Sequence, residues 1–201
     1  MDTLKKEYLN TKSMVKISVL AVISLILMLL DFPLWFTPSF LKFDISDVPA
    51  LIGSFALGPF AGVLVQLVKN LLNLLVEGST TGGVGELANF IVGSIYVYSA
   101  GLIYYREKNF RNAVIGMTVG TIVMTISISL INYYFMIPFY AKIFGLPLDS
   151  IVAMGSAVNK YVVDFKTLIL YAIVPFNLFK GIVVTLVTLL IYKRVSPILK
   201  R

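Results

Sequence analysis

From Ala113 to Tyr140 the chain carries no charged residue. A run of that length has to satisfy its backbone polar groups without water, and in hydrocarbon only helices and closed barrels do so. A helix crosses the bilayer core with about 20 residues. Comparable apolar stretches recur along the 201 residues, at approximately 15–30, 48–57, 60–76, 84–105, 113–140 and 167–192. The expected fold is all-α: an integral membrane protein with six transmembrane helices in one membrane domain, residues 1–201. The second stretch is short enough to be a tilted or partial span, joined abruptly to the third by Gly58-Pro59. The fifth is long, and Pro138 is expected to end or kink it.

Composition narrows the chemistry. The chain is 58% hydrophobic and 13% charged, against about 45–50% and about 25% for soluble domains. Without cysteine there are no disulfides or thiolate ligands, and without histidine no imidazole acts as base or metal ligand. No metal or cofactor is expected. The net charge of +7 could suggest nucleic acid, but the basic residues sit at segment ends and form no soluble patch. They read instead as a topology signal. With the N-terminus inside, Lys5, Lys6, Lys12, Lys16, Arg106, Lys108, Arg111, Lys193, Arg194, Lys200 and Arg201 face the cytosol, while the outer loops carry Asp44, Asp47, Asp149 and Asp164. Both termini are predicted to be cytoplasmic in a multi-pass protein of the bacterial plasma membrane. The apolar run after the basic start lacks a small-residue cleavage site and reads as a retained first helix. The longest non-spanning piece, about residues 141–166, leaves no room for an ATP-hydrolysing or catalytic module.

Polar residues inside the spans are the candidates for function. In the third, Gln66, Asn70, Asn73 and Glu77 share one helical face and Lys69 borders it. That row serves either as a hydrogen-bonded helix interface, with Lys69 paired or snorkelling, or as a ligand surface. The fourth opens with Glu86 and Asn89 after a glycine-rich turn. No Gly-Lys-Ser/Thr follows, so a nucleotide loop is rejected; a capped tight turn or a gating loop remains. Asn132-Tyr133-Tyr134 lies near the outer end of the fifth. The first loop, from Phe40 through Leu41, Phe43 and Asp44 to Asp47, suits a lid or an interfacial loop, and Ser46 or Asp47 is expected to cap the second helix. In the last span, Pro175 interrupts the helix ladder beside Asn177 and Lys180. A cation at mid-bilayer depth costs roughly 2.5–3.5 kcal/mol, so Lys180 needs a partner, water or a ligand. Gly58/Gly62 and Gly116/Gly120 have the spacing for tight helix packing.

Four stretches together resemble the substrate-binding S components of energy-coupling factor transporters, of the riboflavin-specific type. They are residues 42–50 (KFDISDVPA), 78–89 (GSTTGGVGELAN), 132–134 (NYY) and 175–181 (PFNLFKG). The resemblance implies six helices, an extracellular first loop over a pocket, and one bound vitamin. It also implies partners: a membrane scaffold subunit and two cytosolic ATPase subunits, which alone would use ATP, with the S component toppling in the bilayer to release substrate inside. Matching residues suggest that Asn132, Asn177 and Lys180 bind riboflavin, with flavin mononucleotide as a second candidate. Leu41, Phe43, Asp44, Glu86 and Asn89 complete the expected substrate-binding set. The first helix departs from the family's Ala-x-x-x-Ala stripe, its small residues running Ser18, Ala21, Ser24.

Three rival readings stand beside this one. An S component for a different vitamin would use the same fold. A self-contained proton-coupled small-solute carrier would use Glu77 and Lys69 as a relay. An intramembrane enzyme with Glu86 or Glu77 as base lacks a visible nucleophile–base pair.

Overall fold

The computed structural model describes residues 10–79 and 81–199, with side chains up to Tyr192. Lys5, Lys6, Thr80, Lys200 and Arg201 lie outside the described residues, as do the side chains of Lys193 and Arg194. Apolar periodicity becomes helix in α1 (Thr11–Met28), α2 (Asp47–Leu57), α3 (Pro59–Val76), α4 (Val84–Arg106), α5 (Phe110–Phe144), α6 (Leu148–Ser156) and α7, whose apolar span is Phe165–Tyr192. Among the described residues five of these are long and apolar enough to cross a membrane. At 1.5 Å per residue α2 reaches only about 16 Å, too short to cross.

Instead α2 is the hub. Every residue from Asp47 to Phe55 is buried, and the helix packs against α1, α3, α4 and α7. A helix enclosed on all sides needs apolar residues all round, which Val48, Ala50, Leu51, Ile52 and Phe55 provide. Its start differs from expectation. Ser46 occupies the N-cap without a side-chain capping bond, because its hydroxyl is engaged elsewhere. The Asp44 carboxylate accepts the Ser46 N–H at 2.8 Å.

Lipid offers no hydrophobic reward for bringing helices together, so close backbone contact has to hold them. A Cβ on Gly116 would sit 2.6 Å from the Ala100 carbonyl, and one on Gly120 would sit 3.0 Å from the Tyr96 carbonyl. These two glycines therefore set the spacing of α4 and α5. Gly62 does the same for α2 and α3 against Ser54 and Ala50. Gly181 lets α7 lie against Thr121 of α5.

Pro138 and Pro175 are absorbed without a break. α5 runs through Pro138 to Phe144, with a π-helical stretch at Asn132–Met136 just before it. In α7 the matching stretch is Ile169–Ile173, before Pro175. The Tyr171 carbonyl, which Pro175 cannot bond, accepts the Asn159 side-chain amide at 3.1 Å. Between α1 and α2 the chain forms a short antiparallel hairpin, β1 (Phe32–Pro33) with β2 (Lys42–Phe43). An Asp31–Lys42 ion pair of 3.0 Å ties its base.

Candidate binding site

The hairpin folds onto α7. Phe43 meets Phe179 edge to face at 5.5 Å between ring centres, and Phe36 meets the same ring at 5.8 Å. Leu34 and Phe176 fill the remainder of this apolar cluster. Leu41 touches it too and reaches a second cluster formed by α6, the C-terminal part of α5 and the N-terminal part of α7. Phe43 and Phe179 each precede a charged residue, so the aromatic wall stands directly beside a polar interior.

That interior is a four-charge cluster. The Lys180 ammonium donates to Asp44 Oδ2 at 3.0 Å and lies 3.3 Å from Asp47 Oδ2. Lys69 of α3 donates to Asp47 Oδ1 at 3.2 Å and to the Ser46 hydroxyl at 2.9 Å. The Gln66 amide donates to the same Oδ1 at 2.7 Å. All four charged groups are buried, Lys69 completely. Stripping such ions of water is costly, and the cost is offset only when charges balance and hydrogen bonds saturate them. Two ammonium groups facing two carboxylates meet that condition. The cluster joins the first loop, α2, α3 and α7 at one point.

The sequence-predicted residues divide into two groups. Lys180 and Asp44 bond each other, with Phe43 and Leu41 in the adjoining wall. Asn177, buried one turn before Lys180, donates one amide hydrogen to the Ile173 carbonyl at 2.8 Å. Its other N–H and its carbonyl oxygen remain. Asn132 does likewise to Ile128 at 3.0 Å and opens the π-helical stretch of α5. Stretches of this kind often mark functional positions in a helix. Glu86 and Asn89 belong to a different neighbourhood. Glu86 accepts the hydroxyls of Ser79 at 2.9 Å and Thr81 at 3.2 Å, closing the loop before α4. Asn89 faces Met28 of α1 at 3.9 Å from the sulfur, and its carbonyl oxygen is buried without a partner. Among the described residues no hydrogen bond joins Asn132, Glu86 or Asn89 to the lysine cluster.

Asp47, Ser46 and Gln66 were not anticipated as members of this cluster. Asp47 reads in the sequence as an outer-loop anion, yet it is the acceptor shared by both intramembrane lysines. A signal was present: two lysines lie within apolar spans, and two aspartates three residues apart stand at the entry of the short helix, Asp44 in the loop before it and Asp47 as its first residue.

The comparisons with known proteins bear on this site as a whole. The family model for the ECF transporter substrate-specific component matches residues 12–192. The chain belongs to that family. As an S component it is a multi-pass protein of the bacterial cell membrane, and its role is transport, not catalysis. It is similar to the riboflavin transporter RibU of Staphylococcus aureus (strain TCH60), 39% identical over 192 residues, covering 96% of this chain and 94% of that one. The riboflavin transporter FmnP of Bacillus subtilis (strain 168) is 35% identical over 190 residues, covering 94% of each chain. A solved S component of a bacterial ECF transporter superposes with a TM-score of 0.74 at 37% identity, covering 94% of this chain and 98% of that chain.

Proposed function

We propose that this S component captures riboflavin from outside the cell and delivers it inward with an ATP-driven partner module. The observation that carries the reading is its 39% identity, over 96% of its length, to a riboflavin transporter. The geometry supports it. Riboflavin pairs a flat apolar ring system with a hydrogen-bonding pyrimidine edge. Aromatic side chains of the hairpin meet Phe179 of α7, the neighbour of Lys180 and two residues from Asn177, which suits a mostly apolar site with a few fixed polar groups.

In this reading residues 1–201 form one membrane domain of six spans, α2 being the short one, with both termini cytoplasmic and the first loop extracellular. Asn132, Asn177 and Lys180 address the ring heteroatoms, Leu41, Phe43 and Asp44 close the loop side, and Glu86 and Asn89 line the α4 side. Flavin mononucleotide is the second ligand to test. The energising partners are a membrane scaffold subunit and two cytosolic ATPase subunits, and no resident cofactor is needed.

Purification in detergent from riboflavin-replete cells tests the reading. A yellow protein with a flavin absorption spectrum and one riboflavin bound per chain is expected. A colourless protein that gives no calorimetric heat with riboflavin, but binds another vitamin tightly, would overturn the choice of substrate.

A further inference from the structure

Lys180 is, with Asn177, one of the two residues through which α7 meets a ligand under the proposed function, and its ammonium has three hydrogens to place. One goes to Asp44 Oδ2 at 3.0 Å, and Asp47 Oδ2 pairs with the ammonium at 3.3 Å. These two carboxylates together fix where the ammonium sits. Asp44 belongs to the loop, whereas Asp47 is the first residue of the enclosed helix α2. The rigid anchor for the Lys180 ammonium is therefore Asp47.

What holds Asp47 is Lys69. Its ammonium and the Gln66 amide both bond Oδ1, leaving Oδ2 turned toward Lys180. The same ammonium bonds the Ser46 hydroxyl, so it grips both residues at the start of α2. Lys69 is wholly buried, and its own hydrogen bonds lie within the cluster, to Ser46 and Asp47. From this arrangement we infer that Lys69 is a positioning residue of the ligand site, acting through Asp47 on the Lys180 ammonium. The inference rests on the reading that Lys180 contacts riboflavin.

Its test is a cycle of riboflavin titrations on the purified full chain in detergent, read by quenching of flavin fluorescence, with thermal melting of the ligand-free variants alongside. Lys69→Met should weaken riboflavin binding tenfold or more, while Lys69→Arg, which keeps the charge, should stay within about threefold of the parent. In the background Lys180→Met with Asp44→Asn, where Asp47→Asn accompanies Lys69→Met so that no buried carboxylate is stranded, affinity should change by less than about twofold, because the group Lys69 positions is gone. A packing defect would lower affinity by the same factor in both backgrounds. If Lys69→Met cannot be recovered folded, Lys69→Met with Asp47→Asn replaces it. That pair is charge-balanced and also removes the anchor, so the same tenfold loss is expected. Parent-like binding by the Lys69 variants, or equal losses in the two backgrounds, overturns the inference. Parent-like binding by Lys180→Met with Asp44→Asn itself refutes Lys180 as the ligand contact, the separate premise.

Discussion

Lys180 shows how a buried pair changes the logic of a point mutation. Its ammonium neutralises Asp44 and part of Asp47. Lys180→Met alone therefore strands a carboxylate, and removing one partner of a buried ion pair costs about 3–5 kcal/mol of stability. Adding Asp44→Asn restores charge balance, so the double variant should melt closer to the parent than the single one does. Thermal unfolding of the ligand-free proteins in detergent checks this, and a double variant no more stable than the single would contradict it. Asn177 is the cleaner probe of binding, since its one protein bond is to its own helix. Asn177→Ala should weaken riboflavin binding by about ten- to a hundredfold, the equivalent of about 1–3 kcal/mol for a lost hydrogen bond and a stranded partner. Calorimetry giving the parent's affinity would place the pyrimidine edge elsewhere.

At the scale of elements, the α4–α5 seam depends on glycine. The Ala100 carbonyl lies where a Gly116 Cβ would go, and backbone cannot swing aside as a side chain can. Gly116→Ala should therefore cost about 1–3 kcal/mol through overpacking, seen as an earlier detergent melt. An unchanged melt would mean that the seam tolerates separation. The start of α7 depends on charge. Asp164 caps it by accepting the Thr167 N–H at 2.7 Å within a capping box. Chiefly that backbone N–H, aided by the Thr167 hydroxyl, holds the Asp164 carboxyl below its ordinary value. A depressed folded value means that the cap's contribution is fully present above the unfolded pKa of about 3.9 and is lost as pH falls through the lower folded value. Asp164→Ala should thus be less stable than the parent by a constant margin from pH 5 to 8. The margin should shrink below about pH 4; a margin growing toward acid would exclude the cap as its source.

For the whole molecule, the apolar outer face is the surface that lipid or a membrane partner meets. Large side chains such as Val15, Val19, Val22 and Ile26 of α1 lie exposed, while Ala21 and Ser24 turn inward. Two of the three residues in the row Ser18, Ala21, Ser24 thus serve internal packing, and only Ser18 of that row is left on the surface. Energised uptake belongs to the assembly in our reading. In proteoliposomes this chain alone should bind riboflavin without concentrating it, and accumulation should appear only with an ATP-hydrolysing module. Accumulation by the chain alone, abolished by an uncoupler, would favour a proton-coupled carrier instead.

Much of this was legible along the chain, because a bilayer constrains sequence locally. Uncharged runs of spanning length mark helices wherever they fall, and the structure moved their ends by only a few residues, as from 113–140 to Phe110–Phe144. The buried cations Lys69 and Lys180 were visible as polar exceptions in apolar segments. Their partners were not, since a salt bridge between residues 44 and 180 leaves no trace in local periodicity. Asp47 looked like one more outer-loop anion until α2 turned out to be the enclosed hub that carries it into the interior. The neighbours of Glu86 and Asn89 were equally hidden: the fold of the loop before α4 gives Glu86 the hydroxyls of Ser79 and Thr81, and the approach of α1 gives Asn89 the sulfur of Met28. Helix and membrane residence are decided by the solvent each segment meets, which its own residues encode. The balance of charges at the site is decided by contacts between distant segments, and only the packed bundle brings those together.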